Sequence, residues 1–90
     1  MVSSALDTSV GIRAGVALAA ALPELPFACG LATTSLMAGD VVVDPLVGQG
    51  GSIPVRDIVP DPALLERWAA PPDREQWWRD RLARVLELLP

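Results

Sequence analysis

Ser9-Val10-Gly11-Ile12-Arg13-Ala14-Gly15-Val16-Ala17-Leu18-Ala19-Ala20-Ala21-Leu22, followed at once by Pro23, decides how the rest of this chain is read. Small and aliphatic side chains fill the stretch, Arg13 is its only charge, and Pro23 forbids a further turn, so it predicts a helix over Val10 to Leu22. The preceding Ser3-Ser4-Ala5-Leu6-Asp7-Thr8 reads as a loop, from which Asp7 or Ser9 can cap the first free amides. A helix apolar almost all round has to be buried on most of its circumference. A chain of 90 residues holds little material to do that, so the cover is expected to come from elsewhere.

Downstream the pattern breaks into short pieces. Pro26-Phe27-Ala28-Cys29 is an apolar run consistent with a buried strand, although periodicity alone does not separate it from helix at this length. Thr33 to Ala38 predicts one helical turn, ended by Gly39. From Asp40 to Pro60, Val-rich pieces alternate with Pro and Gly, which predicts short edge strands and a hairpin-like connection at Gly48 to Ser52. Pro45 and Pro54 would each remove a ladder donor, so neither piece is expected in the middle of a sheet. Asp61-Pro62 is a cap followed by Pro at the first helical position and predicts a helix to about Ala70, where Pro71-Pro72 intervenes. Asp73 with Gln76 resembles a capping box for a final helix whose Trp78, Leu82, Val85 and Leu89 share a face. Glu75 with Arg79 and Asp80 with Arg84 have ion-pair spacing. Trp78 reads as core, and Trp77, its neighbour, as a candidate interface residue.

Composition excludes several functions. A 51% hydrophobic content and a net charge of −4 describe one small globular unit, neither disordered nor fibrous. All seven basic residues are Arg, so the two side chains most easily tuned as bases near neutral pH, Lys and His, are missing. Without them the N-terminal serines and threonine have no base to make one a nucleophile. The start of the first helix remains a possible anion site. The lone Cys29 permits neither an internal disulfide nor a thiolate metal cluster and fits the cytoplasm. Acidic residues are interleaved with the Arg-dense stretch from Arg74 to Arg84, which argues against nucleic acid. Gly48 to Ser52 lacks the Lys of a phosphate loop. Asp40 and Asp44, flanked by Gly39 and Pro45, read as solvated loop acids rather than a metal pair. The apolar run is too short for a membrane span. Asp7 beside Arg13, with Pro26 ahead of Phe27-Ala28-Cys29, argues against a secretory or lipoprotein leader.

The run Val2-Ser3-Ser4-Ala5-Leu6-Asp7-Thr8-Ser9-Val10-Gly11, a small-residue helix, and then Ala28-Cys29-Gly30-Leu31 together resemble the end of the o-succinylbenzoate synthases, a family of the enolase superfamily. The resemblance covers essentially the whole chain. It implies an α/β architecture: the C-terminal end of a (β/α)7β barrel plus the segment returning to a capping domain, mostly helical with a few short strands. Residues 1–39 would carry the end of barrel strand seven (Val2 to Ser4), the following helix (Ser9 to Leu22) and the last barrel strand (Phe27 to Gly30). Residues 40–90 would return to the capping domain and supply its C-terminal helices.

The chemistry implied by the resemblance is a Mg²⁺-assisted dehydration in menaquinone biosynthesis, a lyase reaction. A Lys removes a proton beside a carboxylate, the metal stabilises the enediolate, and hydroxide departs. The lysines and metal carboxylates of that family stand on earlier strands. The resemblance therefore implies no catalytic residue and no metal ligand here, with Mg²⁺ a cofactor of the full-length enzyme only. Substrate contacts carried over are Ser3 and Ser4 at the rim of strand seven and Gly30 at strand eight. Asp7 replaces the family's usual Glu and Ala32 a common Gly, while the acidic strand-eight motif of dipeptide epimerases has no counterpart at Cys29-Gly30-Leu31. The implied partner is the missing N-terminal part of the same enzyme, with self-association through bare apolar faces as the other possibility. A truncated gene, a misplaced start at Met1 and a split enzyme all accord with this reading. The alternative is a small non-catalytic helical module that binds a protein partner through its terminal helices and Trp77.

Overall fold

In the computed structural model, which describes residues 1–90, three helices are linked by extended segments that form no sheet. Helix α1 spans Ser9–Ala21, a single 3₁₀ turn spans Thr33–Leu36, α2 spans Pro62–Trp68 and α3 spans Pro72–Leu86. These follow the expected helices to within about two residues at most ends, the ordinary uncertainty of helix boundaries. Helix α1 stops at Ala21, and Leu22 turns extended before Pro23.

Only one stripe of α1 is covered. Ser9, Ile12, Val16 and Ala19 are buried, at helical spacing, while Val10 and Leu18 are 45% and 55% exposed. Ile12, Val16 and Ala19 join Leu31 and Leu46 in the core, with Val2, Cys29, Ile53 and Ile58 packed around them. Gly15 makes the closest approach possible. A Cβ there would lie 2.8 Å from the Leu31 side chain, so the absence of one lets Leu31 settle on the helix backbone. Nine of 90 residues are buried, and the radius of gyration is 15.3 Å, against about 12 Å for a compact chain of this length. The molecule is a flat half-core measuring 40 × 38 × 20 Å.

The start of α1 is held differently from the sequence expectation. Neither Asp7 nor the Ser9 side chain caps from within; Thr8 occupies the cap position without a side-chain hydrogen bond. The carboxylate of Asp40, 31 residues downstream, fills that role. It accepts from the Ser9 amide at 3.1 and 3.2 Å, from the Ser9 hydroxyl at 2.6 Å and from the Val41 amide at 2.7 Å. The Ser9 hydroxyl in turn accepts from the Leu46 amide at 2.8 Å. Asp40 is therefore not a solvated loop acid but a buried one, 8% exposed. A carboxylate at the positive end of a helix, bonded to three donors, has the partners that burial of a charge demands. Asp44 does lie in solvent, where it pairs with Arg56 at 3.4 Å.

Asp40 to Pro60 carries the expectation of short edge strands. Val41 to Val43 instead run as bends, and the single pairing in this region is the antiparallel bridge Gln49↔Ser52. Gly50 and Gly51, at φ 58° and 82°, close that two-residue turn, the doubly left-handed kind that glycine adopts at least cost. Burial supplies the reason for the missing strands: with Val43 and Val55 largely exposed and no neighbouring strand offered, the ladder has nothing to pair with.

At the C-terminal end Asp61 caps α2 as expected, accepting from the Leu64 amide at 3.0 Å. The expected capping box at Asp73 does not form, because Pro71 is the cap residue and Asp73 already lies within α3. Gln76 instead donates to Asp80 at 2.8 Å, which takes Asp80 from the expected pairing with Arg84, whereas Glu75 and Arg79 do pair. Trp78, Leu82, Val85 and Leu89 are all exposed, so the apolar face of α3 covers nothing in this chain.

Replacing Asp40 by Ala strands two amides and a hydroxyl in a buried place and is expected to cost about 3 kcal/mol, or to prevent folding; Asp44→Ala should change stability by under about 0.5 kcal/mol. Urea midpoints of the two variants measure this, and comparable losses would refute the clasp.

Candidate functional site

The three residues singled out at the rim come together in one place. Val2-Ser3-Ser4 and Cys29-Gly30-Leu31 lie side by side as a minimal parallel pair centred on Ser3↔Gly30. The Ser4 amide donates to the Gly30 carbonyl at 3.0 Å, and the Gly30 amide donates to the Val2 carbonyl at 2.9 Å, the slanted pattern of a parallel ladder.

Side chains alternate faces along such a segment, and the contacts fix which face is which. Val2, Cys29 and Leu31 point to α1 and pack on the core. Ser3 and Gly30 therefore share the opposite face, and both are exposed. A Cβ built on Gly30 would lie 3.5 Å from the Ser3 Cβ, so the two positions are direct neighbours. The Ser3 hydroxyl has no hydrogen-bond partner in the chain, and beside it the missing side chain of Gly30 leaves open space. One free hydroxyl next to a bare backbone can donate to an acceptor oxygen of a ligand but cannot by itself move a proton.

Ser4 is turned the other way. Its hydroxyl lies 3.2 Å from the Gly30 carbonyl and 3.1 Å from the Thr33 hydroxyl, which donates to the Ala5 carbonyl at 2.8 Å. Sequence reasoning missed Thr33. No spacing in the sequence marked it, because the 3₁₀ turn that begins at Thr33, and not strand alternation, brings its hydroxyl to Ser4 and Ala5.

Beyond the rim, chemistry is sparse. Nowhere do three acidic or thiol side chains converge, and the oxygens of Asp40 are already taken by amides and a hydroxyl. The same carboxylate occupies the helix start that the sequence left open to an external anion. An apolar cleft of about 570 Å³ opens on the α1 face between Val16, Leu25, Cys29, Leu31, Ile53 and Val55. It contains no charged group, lies opposite the Ser3 and Gly30 face, and reads as the unfinished side of the core. On α3, Trp77 and Trp78 meet edge to face at 4.7 Å, with the Arg74 guanidinium 4.3 Å from the Trp77 ring. No helix is long and apolar enough to cross a membrane.

No family model matches the chain. Curated relatives do. Over 89 residues, 99% of its length, it is 51% identical to the o-succinylbenzoate synthase of Mycobacterium leprae, and over the same length 48% identical to that of Mycobacterium marinum. The o-succinylbenzoate synthase of Mycobacterium tuberculosis is also 51% identical over 89 residues. The chain spans about a quarter of the length of these relatives, 26% or 27% in each case.

The face assignment is testable by neighbouring substitutions. Leu31→Ala should cost about 3 kcal/mol through lost burial and a cavity, whereas Gly30→Ala, whose new methyl meets only ordinary contact, should stay within about 1 kcal/mol of the parent. Thermal melts of both variants decide it, and a larger loss at Gly30 would mean that the faces are reversed.

Proposed function

We propose that this homologue of the o-succinylbenzoate synthases is the C-terminal part of such an enzyme and contributes to its dehydration reaction only when joined to the remainder of the protein. The observation that carries the reading is the single parallel bridge of Ser3 with Gly30 on the outer face of two helix-backed extended segments, set beside about 50% identity over nearly the whole chain. A strand, a helix packed behind it and a parallel strand alongside make the repeating unit of a β/α barrel. In that frame the exposed Ser3 and Gly30 would face the barrel interior, and residues 1–39 would be the closing segment, with 40–90 running back to the capping domain.

The division of labour follows from the residues present. With no Lys or His, this chain lacks the two side chains most easily tuned to abstract a proton beside a carboxylate near neutral pH. It gathers no set of metal ligands either, so the Mg²⁺ implied by the family would be held by the rest of the enzyme, where it would stabilise the charge developing on the substrate carboxylate. What this chain supplies is one wall of the substrate pocket. Ser3 would donate a hydrogen bond to a substrate oxygen, Gly30 would leave room for the substrate, and Ser4 would belong to the same rim. The compartment on this reading is the cytoplasm.

The bare surfaces accord with such a partner. The outer faces of α1, the cleft beside Leu31 and the stripe Trp78, Leu82, Val85 and Leu89 are exposed apolar surface that three separate contacts would bury. At roughly 25 cal/mol per Å², covering even one helical face amounts to several kcal/mol, comparable with the whole stability of a small domain. Kept alone, the chain is expected to self-associate through these faces, which light scattering against concentration would register; a monomer with a sharp cooperative melt would count against the half-core description.

Co-expression with the upstream part of a homologous synthase tests the proposal. The pure chain should be inactive, and the assembled pair should recover Mg²⁺-dependent formation of o-succinylbenzoate. Within that pair Ser3→Ala and Gly30→Trp should lower kcat/KM by about tenfold or more, as loss of one substrate hydrogen bond or filling of the pocket implies, while Arg84→Ala on the surface of α3 should stay within about twofold. Turnover by the chain alone would refute the proposal, and so would a pair that assembles without activity.

A further inference from the structure

We infer that Ser4 and Thr33 are positioning residues, forming a hydroxyl latch across the strand ends that holds Ser3 beside Gly30, and that Ser3 alone of the two rim serines meets the substrate; the inference rests on the synthase reading above.

The argument begins with proton count. Thr33 carries one hydroxyl proton and donates it to the Ala5 carbonyl at 2.8 Å, so at the 3.1 Å contact with Ser4 it can only accept. The hydrogen-bond chain thus has one direction, from the Ser4 hydroxyl to Thr33 and on to Ala5. Its alternative acceptor, the Gly30 carbonyl at 3.2 Å, is also a protein group, so the single Ser4 proton is spent within the fold either way. The Ser3 hydroxyl has no such obligation.

Facing gives the same answer independently. Ser4 shares its side of the strand with Val2, which packs on the core, whereas Ser3 and Gly30 share the open side. The latch also acts where it is needed. Only two backbone hydrogen bonds join the segments around Ser3, and both lie at Ser4 and Gly30. Thr33 stands at the start of the 3₁₀ turn, three residues beyond Gly30, and ties that turn back to Ala5. Without its hydroxyl the segments keep only two backbone hydrogen bonds and the Ser4 contact with the Gly30 carbonyl, a pairing too short to be stable unaided.

The experiment uses the assembled enzyme carrying this chain. Thr33→Val keeps the shape and removes the hydroxyl, while Thr33→Ser keeps the hydroxyl. Ser3→Ala should raise KM about tenfold with kcat nearly unchanged. Thr33→Val and Ser4→Ala should each raise KM about threefold to tenfold, and Thr33→Ser should restore the parent value. Because the latch works through Ser3, adding Thr33→Val or Ser4→Ala to Ser3→Ala should raise KM no further. Multiplying effects would show that Ser4 touches substrate itself and would overturn the inference, as would a Thr33→Val variant indistinguishable from the parent. A second measurement is independent of turnover: amide hydrogen exchange at Ser4 and Gly30 should quicken about tenfold in Thr33→Val and not in Thr33→Ser. An assembly lacking synthase activity defeats the synthase reading, whereas unchanged exchange in Thr33→Val defeats the latch whatever the activity.

Discussion

One buried carboxylate fixes where the second half of this chain sits on the first helix. Asp40 reaches back across 31 residues to the start of α1, and through Ser9 it also fixes Leu46, the downstream residue of the core. Ser9, Asp40 and Leu46 are all buried, so these polar groups cannot return to water without opening the structure. The arrangement replaces a local cap with a long-range one, and the cost of leaving its donors unmet makes the position of residues 40–46 on the helix nearly obligatory.

That fixed point orders what lies on either side. With α1 anchored, Ile12 and Val16 present one stripe to Leu31, and the extended segment carrying Leu31 can approach closely because Gly15 offers no side chain. Leu31 on the helix side puts Gly30 on the other, and pairing with Gly30 puts Ser3 beside it. The geometry around Ser3 and Gly30 therefore depends on packing at the opposite face of the paired segments. Changes in the core around Leu31 would be felt at Ser3 through one peptide unit.

The distal helices obey a different rule. Local devices hold α3 and much of α2, namely the Asp61 cap, proline at the first helical positions, the Glu75 and Arg79 pair, and arginines stacked on Trp68 and Trp77, while α2 also docks back through the Asp61 amide on the Val41 carbonyl at 2.8 Å and Trp68 against Gly39. Such terms are worth tenths of a kcal/mol to about one each. Thr34 adds a small reverse term within the first half, since its buried hydroxyl finds no partner. The apolar stripe of α3 is consequently a surface whose burial depends on another polypeptide segment, and on the proposed reading that segment is the rest of the synthase.

Local chemistry was legible in the sequence. Pro23, Pro62 and Pro72 mark helix boundaries through missing donors and fixed φ; Gly50 and Gly51 mark a turn; and the all-round apolar character of Val10 to Leu22 announces a helix that its own chain cannot cover. The absence of Lys and His limited the chemistry before any fold was known. The resemblance singled out Ser3, Ser4 and Gly30, which the fold brings together. What tertiary structure alone decided is which hydroxyl is free and which acid is buried. Ser3 and Ser4 are chemically identical neighbours, and only the register with Gly30 turns one outward and the other into contact with Thr33. Asp40 and Asp44 have similar flanks, and only the position of the α1 amide terminus puts one of them in the core. Spacing along a chain encodes the reach of neighbouring residues, whereas a hydrogen bond across 31 positions depends on where two distant backbones are brought together by packing.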